Sequence, residues 1–131
     1  NKSGMMWRNG TLVTFSSDNI AFGNFSEWSP FRGMEVGISR KDITLAAVPG
    51  DYSTVEFYPP ESECMTMEQM ILGYTINGAK QLRLDKTKGS IEPGKDADYI
   101  VLKEDLFKTP LEGMGKLIPE AVYFKGINQK R

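Results

Sequence analysis

The sequence predicts a mixed α/β fold, and three observations carry this prediction. Residues 11–15 (TLVTF) and 99–102 (YIVL) are rich in β-branched and aromatic residues, which is typical of strands. Residues 66–82 (TMEQMILGYTINGAKQL) place apolar side chains at helical spacing. The chain has 131 residues, of which 40% are hydrophobic and 25% are charged, as in an ordinary globular domain. One such domain, or a part of a larger one, accounts for this length.

The N-terminal segment is predicted to contain a helix end, a strand and a long loop. Residues 4–8 (GMMWR) resemble the last turn of a helix, closed by Asn9-Gly10, a pair that suits a left-handed helix end or a tight turn. The strand over 11–15 has too few polar residues to be half-exposed, so we expect it to be covered on both faces. Residues 19–33 combine Asn, Gly, Ser and aromatic residues without a steady period, and we expect a loop there.

A short helix over residues 34–39 is predicted next. Pro30 is well placed for its first turn, and Arg40 and Lys41 are favourable near its C-terminal end. Residues 49–63 then hold three Pro, one Gly and four acidic residues, a composition that predicts a surface loop.

The helix over residues 66–82 is the strongest local signal. Thr66 and Gln69 have the spacing of a capping box, in which each side chain accepts from a backbone donor at the helix start. Glycine at positions 73 and 78 costs up to about 1 kcal/mol each relative to alanine, which predicts close packing of this helix on a sheet. One face is predicted to form a buried stripe, made of Met67, Met70, Ile71, Tyr74, Gly78 and Leu82.

The last third is predicted to hold short extended segments. Pro93-Gly94 fits the centre of a type II turn. Residues 99–102 are expected to form a buried strand, and residues 104–118 a linker with one helical turn. Residues 121–125 (AVYFK) predict a final strand, after which Gly126 permits a turn.

The composition excludes several classes of protein. Sixteen Lys and Arg against seventeen Asp and Glu give a net charge of −1, which argues against a nucleic-acid partner. No apolar run approaches the ~18 residues that span a membrane, and the N-terminus lacks a signal-peptide pattern. We therefore expect no membrane partner and take a cytoplasmic location as the default, with a secreted or periplasmic one left open. A single Cys64 and no histidine leave the chain without the usual zinc ligands or general base.

Four segments, in this order, resemble the C-terminal part of the amidohydrolase superfamily, of the type grouped as amidohydrolase family 3. They are TLVTFSSDN, PFRGMEVGISRKD, MTMEQMILGYTINGAKQL and GSIEPGKDADYIVL, and the resemblance runs from about residue 4 to residue 126. It implies that residues 1–86 are a remnant of a (β/α)8 barrel, with its last strand and helix. Residues 87–131 would then be C-terminal strands of a composite β-sandwich.

The resemblance also implies an activity for the full-length parent. Such enzymes are metal-dependent hydrolases that act on non-peptide C–N bonds, and the small-molecule substrate here would be an amide or a cyclic amide. A divalent metal, zinc by this resemblance, would be held mainly by histidines of earlier barrel strands that this chain lacks. We expect no cofactor in this chain alone, and we expect the chain alone to be inactive.

Asp18 is the position that carries over from the family's active site. It matches the aspartate after the eighth barrel strand, which the resemblance makes a metal ligand or a base for metal-bound water. The spacing alone favours a simpler role, a cap for the following loop or helix. The resemblance favours the catalytic role in the full-length enzyme.

Other side chains have two interpretations each. Arg40 and Lys41 could bind an anionic substrate group, although a solvated helix end is the preferred reading. The aromatic residues after Asp18 could form the wall of a substrate pocket or pack locally, and the two interpretations are balanced. These residues are Phe22, Phe25, Trp28 and Phe31.

Glu61 and Glu63 could pair as acid and base, but their Pro-rich setting predicts a solvated surface. Cys64 is expected to be a small buried apolar residue rather than a nucleophile.

Two alternatives to the enzyme-fragment reading come from other classes of protein. The chain could be a stand-alone binding or regulatory module that keeps this architecture without its chemistry. It could also be a self-associating module, because a barrel strand without its neighbours leaves an open edge that favours a homo-oligomer.

Overall fold

The structure is a computed structural model, and it describes residues 2–17, 29–41 and 56–129. Over these ranges the chain forms four α-helices, two 3-10 turns and three short β-strands, which confirms the mixed α/β class. None of the helices in the described ranges is long and apolar enough to cross a membrane.

Helix α1 (Ser3–Arg8) confirms the predicted helix end. It stops at Asn9, and Gly10 follows with a φ of 75°, the left-handed conformation that glycine adopts without strain. The helix lies on the 3-10 turn Glu61–Glu63, where a Cβ added at Gly4 would come within 2.6 Å of the Ser62 carbonyl oxygen. The glycine therefore permits this close approach.

Residues 11–17 have no regular secondary structure, so the predicted strand over 11–15 is wrong. Their backbone bonds to helices instead: the Phe15 amide donates to the Gly73 carbonyl at 3.3 Å, and the Asn77 side chain donates to the Val13 carbonyl at 3.0 Å. Val13 is buried but Leu12 is 47% exposed, so the segment is not covered on both faces. A β-branched run becomes a strand only when another strand supplies its hydrogen bonds.

Helix α2 (Pro30–Ser39) begins earlier than the sequence predicted. Pro30 occupies the first turn as expected, but residues 30–33 are helical rather than part of a loop. Proline suits this position because its fixed φ is already helical and its missing N–H would have no partner there. Phe31 is 5% exposed, and its burial makes the extra turn favourable.

The predicted long helix is broken into α3 (Met67–Tyr74) and α4 (Ile76–Gln81). Its start is as predicted: the Gln69 amide donates to Thr66 Oγ1 at 3.2 Å, and the Thr66 amide donates to Gln69 Oε1 at 2.9 Å. The break lies at Thr75, with φ −122° and ψ −99°. The Thr75 hydroxyl donates to the Ile71 carbonyl at 2.7 Å, a local bond that is known to bend helices.

The break also changes the face that the two helices bury. Met70 is 1% exposed as predicted, but Leu82 lies beyond the end of α4 and is 68% exposed. A Cβ at Gly73 would collide with the Phe15 ring, which confirms close packing there. At Gly78 the nearest atom to an added Cβ is 3.9 Å away, so the close packing predicted for this glycine is wrong. The helices pack on α2 and on residues 11–17 rather than on a sheet.

A buried glutamate joins α2 to the C-terminal part of the chain. The 3-10 turn Met114–Lys116 is the helical turn predicted within residues 104–118, and it packs on α2. Glu35 is 2% exposed, and its carboxylate accepts from the Gly113 amide at 3.1 Å and from the Gly115 amide at 2.7 Å. This burial was not predicted from the sequence; charged residues are almost never fully buried unless they are paired, as Glu35 is here.

The C-terminal strands form an antiparallel sheet in the order β1 (Tyr99–Val101), β2 (Ala121–Phe124), β3 (Ile127–Asn128). β1 and β2 match the predicted strands, and β3 was not predicted. The turn at Pro93-Gly94 is confirmed by a 3.2 Å hydrogen bond from the Lys95 amide to the Glu92 carbonyl and by a φ of 89° at Gly94.

The sheet is more exposed than the sequence predicted. β1 was expected to be buried, but its three side chains are 36–47% exposed. In β2, Val122 is 38% exposed and Phe124 is 53% exposed. Among the described residues no second layer covers these side chains. An apolar strand sequence predicts a strand, whereas its burial depends on what packs against it.

The hydrophobic core lies among the helices. Partly buried apolar residues surround it, including Leu106 and Leu117 from the C-terminal part of the chain. The two predicted regions, 1–86 and 87–131, therefore contribute to one core. Its buried members are Phe31, Met34, Met65, Met70 and Met114.

Candidate functional site

A cleft of about 550 Å³ opens between α2, α3 and residues 15–17. Its volume lies in the range of small-molecule sites. Met70 and Tyr74 of α3 line one side, and Tyr58 lines another. Ser16 and Ser17, the two residues that precede Asp18 in sequence, also line it.

Three of the four predicted site residues lie outside the described residues. These are Asp18, Phe22 and Trp28, and Phe25 lies outside as well. Their predicted roles as catalytic residue, metal ligand and pocket wall stay predictions. Phe31, the remaining aromatic residue of that group, packs in the core, which agrees with local packing for this ring.

Arg40 lines the cleft and also holds a neighbouring loop. It follows α2 with a φ of 52°, and its Nε donates to the Tyr58 carbonyl at 2.7 Å. The Tyr58 amide donates in return to the Arg40 carbonyl at 2.9 Å. Lys41 lies beside Arg40 in the cleft wall. Arg40 therefore lies at a helix end, as the preferred interpretation predicted. It also lines the cleft, a position that binding of an anionic substrate group would require.

Tyr74 brings a hydroxyl group into the cleft. The hydroxyl lies against Gly33 of α2, where a Cβ would occupy its place, and the ring packs 5.6 Å from that of Phe15. Burial raises the pKa of Tyr74 above its usual value, because desolvation disfavours the charged form. The hydroxyl therefore stays protonated at neutral pH and can donate a hydrogen bond. From the sequence, Tyr74 was predicted only as a member of the buried stripe.

Glu63 is not on a solvated surface, so that prediction is wrong. It is 7% exposed; its Oε2 accepts from the Met5 amide at 2.9 Å, and its Oε1 pairs with Arg8 Nη2 at 3.2 Å. The Met5 hydrogen bond, with a contribution from Arg8, lowers the pKa of Glu63. A carboxylate held ionised in this way fixes α1 and is a poor general acid. Glu61 is exposed, as predicted.

Cys64 is half-buried rather than buried, and its thiol is free. Within the described ranges, no group of three or more His, Cys, Asp or Glu side chains is arranged to hold a metal ion. With no histidine in the chain, the residues described here do not make up a catalytic metal site.

Arg32 is a cleft residue that the sequence analysis missed. It lines the cleft from α2, two turns before Arg40. The predicted helix began at residue 34, so it did not include Arg32 and gave no helical spacing between these two arginines. A helix start placed at Pro30 would have revealed it.

Comparisons with known proteins identify the family. The model of the Amidohydrolase family matches residues 1–126. The imidazolonepropionase of Picrophilus torridus is 46% identical over 102 residues, which cover 72% of this chain and 26% of that protein. The imidazolonepropionase of Porphyromonas gingivalis is 48% identical over 44 residues, 34% of this chain and 10% of that protein.

One solved structure is also similar. An amidohydrolase from Thermotoga maritima is 37% identical, with a TM-score of 0.42 over 51% of this chain and 16% of that one. The chain thus spans about a quarter of the length of the Picrophilus relative and less of the others.

Proposed function

Because this chain belongs to the amidohydrolase family, as a C-terminal part of an amidohydrolase-superfamily protein, we propose that the whole protein hydrolyses a non-peptide C–N bond of a small molecule. The observation that carries the proposal is the 46% identity to an imidazolonepropionase over 102 residues. That relative's name points to a cyclic amide with a propionate group, and we propose this class as the substrate. The cleft beside Ser17 has the volume to take part of such a molecule.

Asp18 is the residue we propose for the chemistry. In sequence it directly follows Ser17, which lines the cleft, and we propose that its carboxylate acts at that cleft. A carboxylate there can accept a proton from the attacking water and return it to the leaving nitrogen. If Asp18 instead caps the segment that follows it, removal of its charge should leave kcat unchanged.

We propose a divalent metal, zinc, as the cofactor of the whole protein, with Asp18 as one of its ligands. Support comes from the family, which is generally metal-dependent. The described residues offer no donor cluster and the chain has no histidine, so most ligands must come from the rest of the protein. This division of the site is why we propose that the chain alone is inactive.

We propose that the chain completes two domains of the whole protein. Residues 1–86 would complete a (β/α)8 barrel, and residues 87–131 a β-sandwich. Exposed apolar side chains in β1 and β2 support this, since a sandwich strand needs a second layer. Phe22 and Trp28 would then wall the substrate pocket, and Arg40 would contact the substrate at the cleft. Truncating Trp28 to alanine should raise KM more than it lowers kcat.

The test of Asp18 is an activity assay on the whole protein. Imidazolonepropionate and neutral cyclic amides are supplied to the wild type, to Asp18→Asn and to the control Asp85→Asn. We expect Asp18→Asn to lose about 100-fold or more in kcat, the contribution of a general base. Asp85→Asn should match the wild type. If Asp18→Asn keeps full kcat, Asp18 is a cap and the proposed role is wrong.

A second candidate function, self-association, is favoured by one observation. One face of the described sheet carries four apolar side chains that are 38–68% exposed: Ile100, Val122, Phe124 and Ile127. Such a patch is typical of an interaction surface. If a second copy covers it, the sedimentation coefficient of the chain should rise with concentration, and Ile100→Lys should abolish that rise. A monomer at all concentrations would reject this candidate.

A further inference from the structure

The Tyr74 hydroxyl is a neutral hydrogen-bond donor in the wall of the cleft. It belongs to α3, and Ser16 and Ser17 line the same cleft. Within residues 2–17, 29–41 and 56–129, no backbone or side-chain group forms a hydrogen bond with this hydroxyl. Its proton is therefore available to a ligand that enters the cleft.

Two contacts fix the position of this hydroxyl. A Cβ added at Gly33 would overlap the Tyr74 hydroxyl oxygen, so a glycine is required at this position of α2. The Tyr74 ring packs on the Phe15 ring, with the ring centroids 5.6 Å apart. The Phe15 amide donates to the Gly73 carbonyl at 3.3 Å and holds the same two segments together. A donor that is fixed before a ligand binds needs no reorganisation at the moment of reaction.

The chemistry of the hydroxyl matches that of a carbonyl oxygen. Burial raises the pKa of Tyr74, so the hydroxyl keeps its proton at neutral pH and is a donor rather than a base. A hydrogen bond to a carbonyl oxygen becomes stronger as negative charge develops on that oxygen during attack on the carbonyl carbon. Such a bond stabilises the transition state more than the bound substrate, and this difference raises kcat.

We infer that the Tyr74 hydroxyl donates a hydrogen bond to the oxygen of the scissile carbonyl group, and that Gly33 positions this hydroxyl. The inference rests on the proposed hydrolase function and adds a catalytic residue to it. The Tyr74 ring packs on Phe15, which lies three residues before the proposed base Asp18 in sequence. The donor and the segment that leads to the base therefore share one side of the cleft.

The hydrogen bond acts when water adds to the carbonyl group. The water oxygen forms a bond to the carbonyl carbon, and the π electrons of the C=O bond move onto the carbonyl oxygen. Tyr74 donates to that oxygen while it is negatively charged and keeps its own proton throughout. When the C=O bond re-forms, the C–N bond breaks. The leaving nitrogen keeps the electron pair and takes the proton that Asp18 received from the water.

The experiment measures kcat and KM of the whole protein on imidazolonepropionate. Tyr74→Phe keeps the ring on Phe15 and removes only the hydroxyl. We expect it to lower kcat by about 100- to 1000-fold, the effect of losing one donor to a developing oxyanion. KM should stay close to that of the wild type, because the bond strengthens only in the transition state. The control Tyr123→Phe removes a hydroxyl from β2, outside the cleft, and should leave kcat unchanged.

A double-mutant cycle tests whether Gly33 positions the hydroxyl. Gly33→Ala places a methyl group where the Tyr74 hydroxyl lies, so it should displace the hydroxyl and lower kcat by about 10-fold or more. In the Tyr74→Phe background the nearest ring carbon is 3.0 Å from the added Cβ, a contact that small shifts relieve. Gly33→Ala should then cause no further loss of kcat. Thermal unfolding of each variant checks that it is folded.

Wild-type kcat in Tyr74→Phe, with or without a raised KM, would overturn the inference and leave the proposed function standing. An equal loss of kcat from Gly33→Ala in both backgrounds would overturn the positioning role of the glycine. If the wild type hydrolyses neither imidazolonepropionate nor a neutral cyclic amide, the proposed function is wrong and the inference fails with it.

Discussion

The helical core and the C-terminal sheet are stabilised in different ways. The core is made of tightly packed apolar side chains, four of them methionines, with exposures of 1–5%. The sheet has short strands whose apolar side chains stay 36% exposed or more at Tyr99, Ile100 and Val101. Polar contacts also tie the sheet to the segment before it: Lys88 Nζ lies 2.8 Å from Asp96 Oδ2 and 2.5 Å from Asp98 Oδ2.

This contrast shows where each part of the chain is sensitive to change. In the core, the loss of a methyl group leaves a cavity. In the sheet, the loss of a methyl group removes apolar surface that is already partly exposed to water. The loss of the Asp98 charge, in contrast, breaks the ion pair with Lys88. The Asp98 carboxylate also accepts from the Lys125 amide at 2.7 Å, so one side chain joins β1 to the turn after β2.

The largest expected effect is that of truncating the centre of the core. Met70→Ala should lower the free energy of unfolding by about 2–5 kcal/mol, because Met70 is 1% exposed and touches α2. Ile100→Ala, a truncation in the half-exposed sheet, should cost about 1 kcal/mol or less. Urea denaturation measures both, and equal losses would contradict the contrast between core and sheet.

The next effect compares two glycines of the broken helix. Gly73→Ala should destabilise the protein by about 1–3 kcal/mol, because the new Cβ would collide with the Phe15 ring. Gly78→Ala has free space and should stabilise by up to about 1 kcal/mol through helix propensity. The midpoint of thermal unfolding should fall for Gly73→Ala and rise for Gly78→Ala, and a rise for Gly73→Ala would show that the packing at Phe15 is not tight.

A smaller effect should follow from removing one oxygen at the buried glutamate. Glu35→Gln keeps the shape but presents an amide donor to the Gly113 or Gly115 amide, and we expect a loss of about 1–3 kcal/mol. Glu112→Gln, an exposed change next to the same turn, serves as the control. Denaturant unfolding of both variants checks this, and a neutral Glu35→Gln would mean that the turn docks without the carboxylate.

The smallest effect concerns pH and the polar connection of the sheet. The hydrogen bond from Lys88 lowers the pKa of Asp98, with further contributions from the Lys125 amide and from the Lys88 charge. Asp98 therefore stabilises the fold above its unfolded pKa of about 3.9, and the stabilisation is lost as the pH falls through the lower folded value. The unfolding midpoints of wild type and Asp98→Asn should differ at pH 7 and converge in acid.

The control for this pH dependence is Asp85→Asn, for which the described contacts include no ion pair. It should run parallel to the wild type at every pH. If the difference in unfolding midpoint between wild type and Asp98→Asn grows on acidification, the pKa of Asp98 is not lowered in the fold.

Local signals in the sequence predicted much of the fold. The capping box at Thr66, the glycine turn at Gly94 and the positions of β1 and β2 depend on neighbouring residues, and all were predicted. Long-range contacts decided the rest. Residues 11–15 have strand composition but bond to Gly73 and Asn77, and no local pattern reports which partner a segment meets.

The candidate site was predicted in part, and the misses share one cause. Arg40 was considered because it lies at the C-terminal end of the helix predicted over 34–39, whereas Arg32 lay outside that predicted helix. Glu63 was assigned to the surface because its sequence neighbours are polar and Pro-rich. Its actual surroundings, Met5 and Arg8, come from a helix 55 or more residues away in sequence.

The most direct test of the account is a side-by-side hydrolysis assay of the whole protein and of the 131-residue chain on one cyclic amide carboxylate, with and without added zinc. We predict C–N bond hydrolysis by the whole protein and none by the chain alone under either condition. Zinc-dependent hydrolysis by the chain alone that is lost in Asp18→Ala would contradict the claim that the rest of the protein completes the site. A whole protein that hydrolyses no such bond would contradict the proposed function itself.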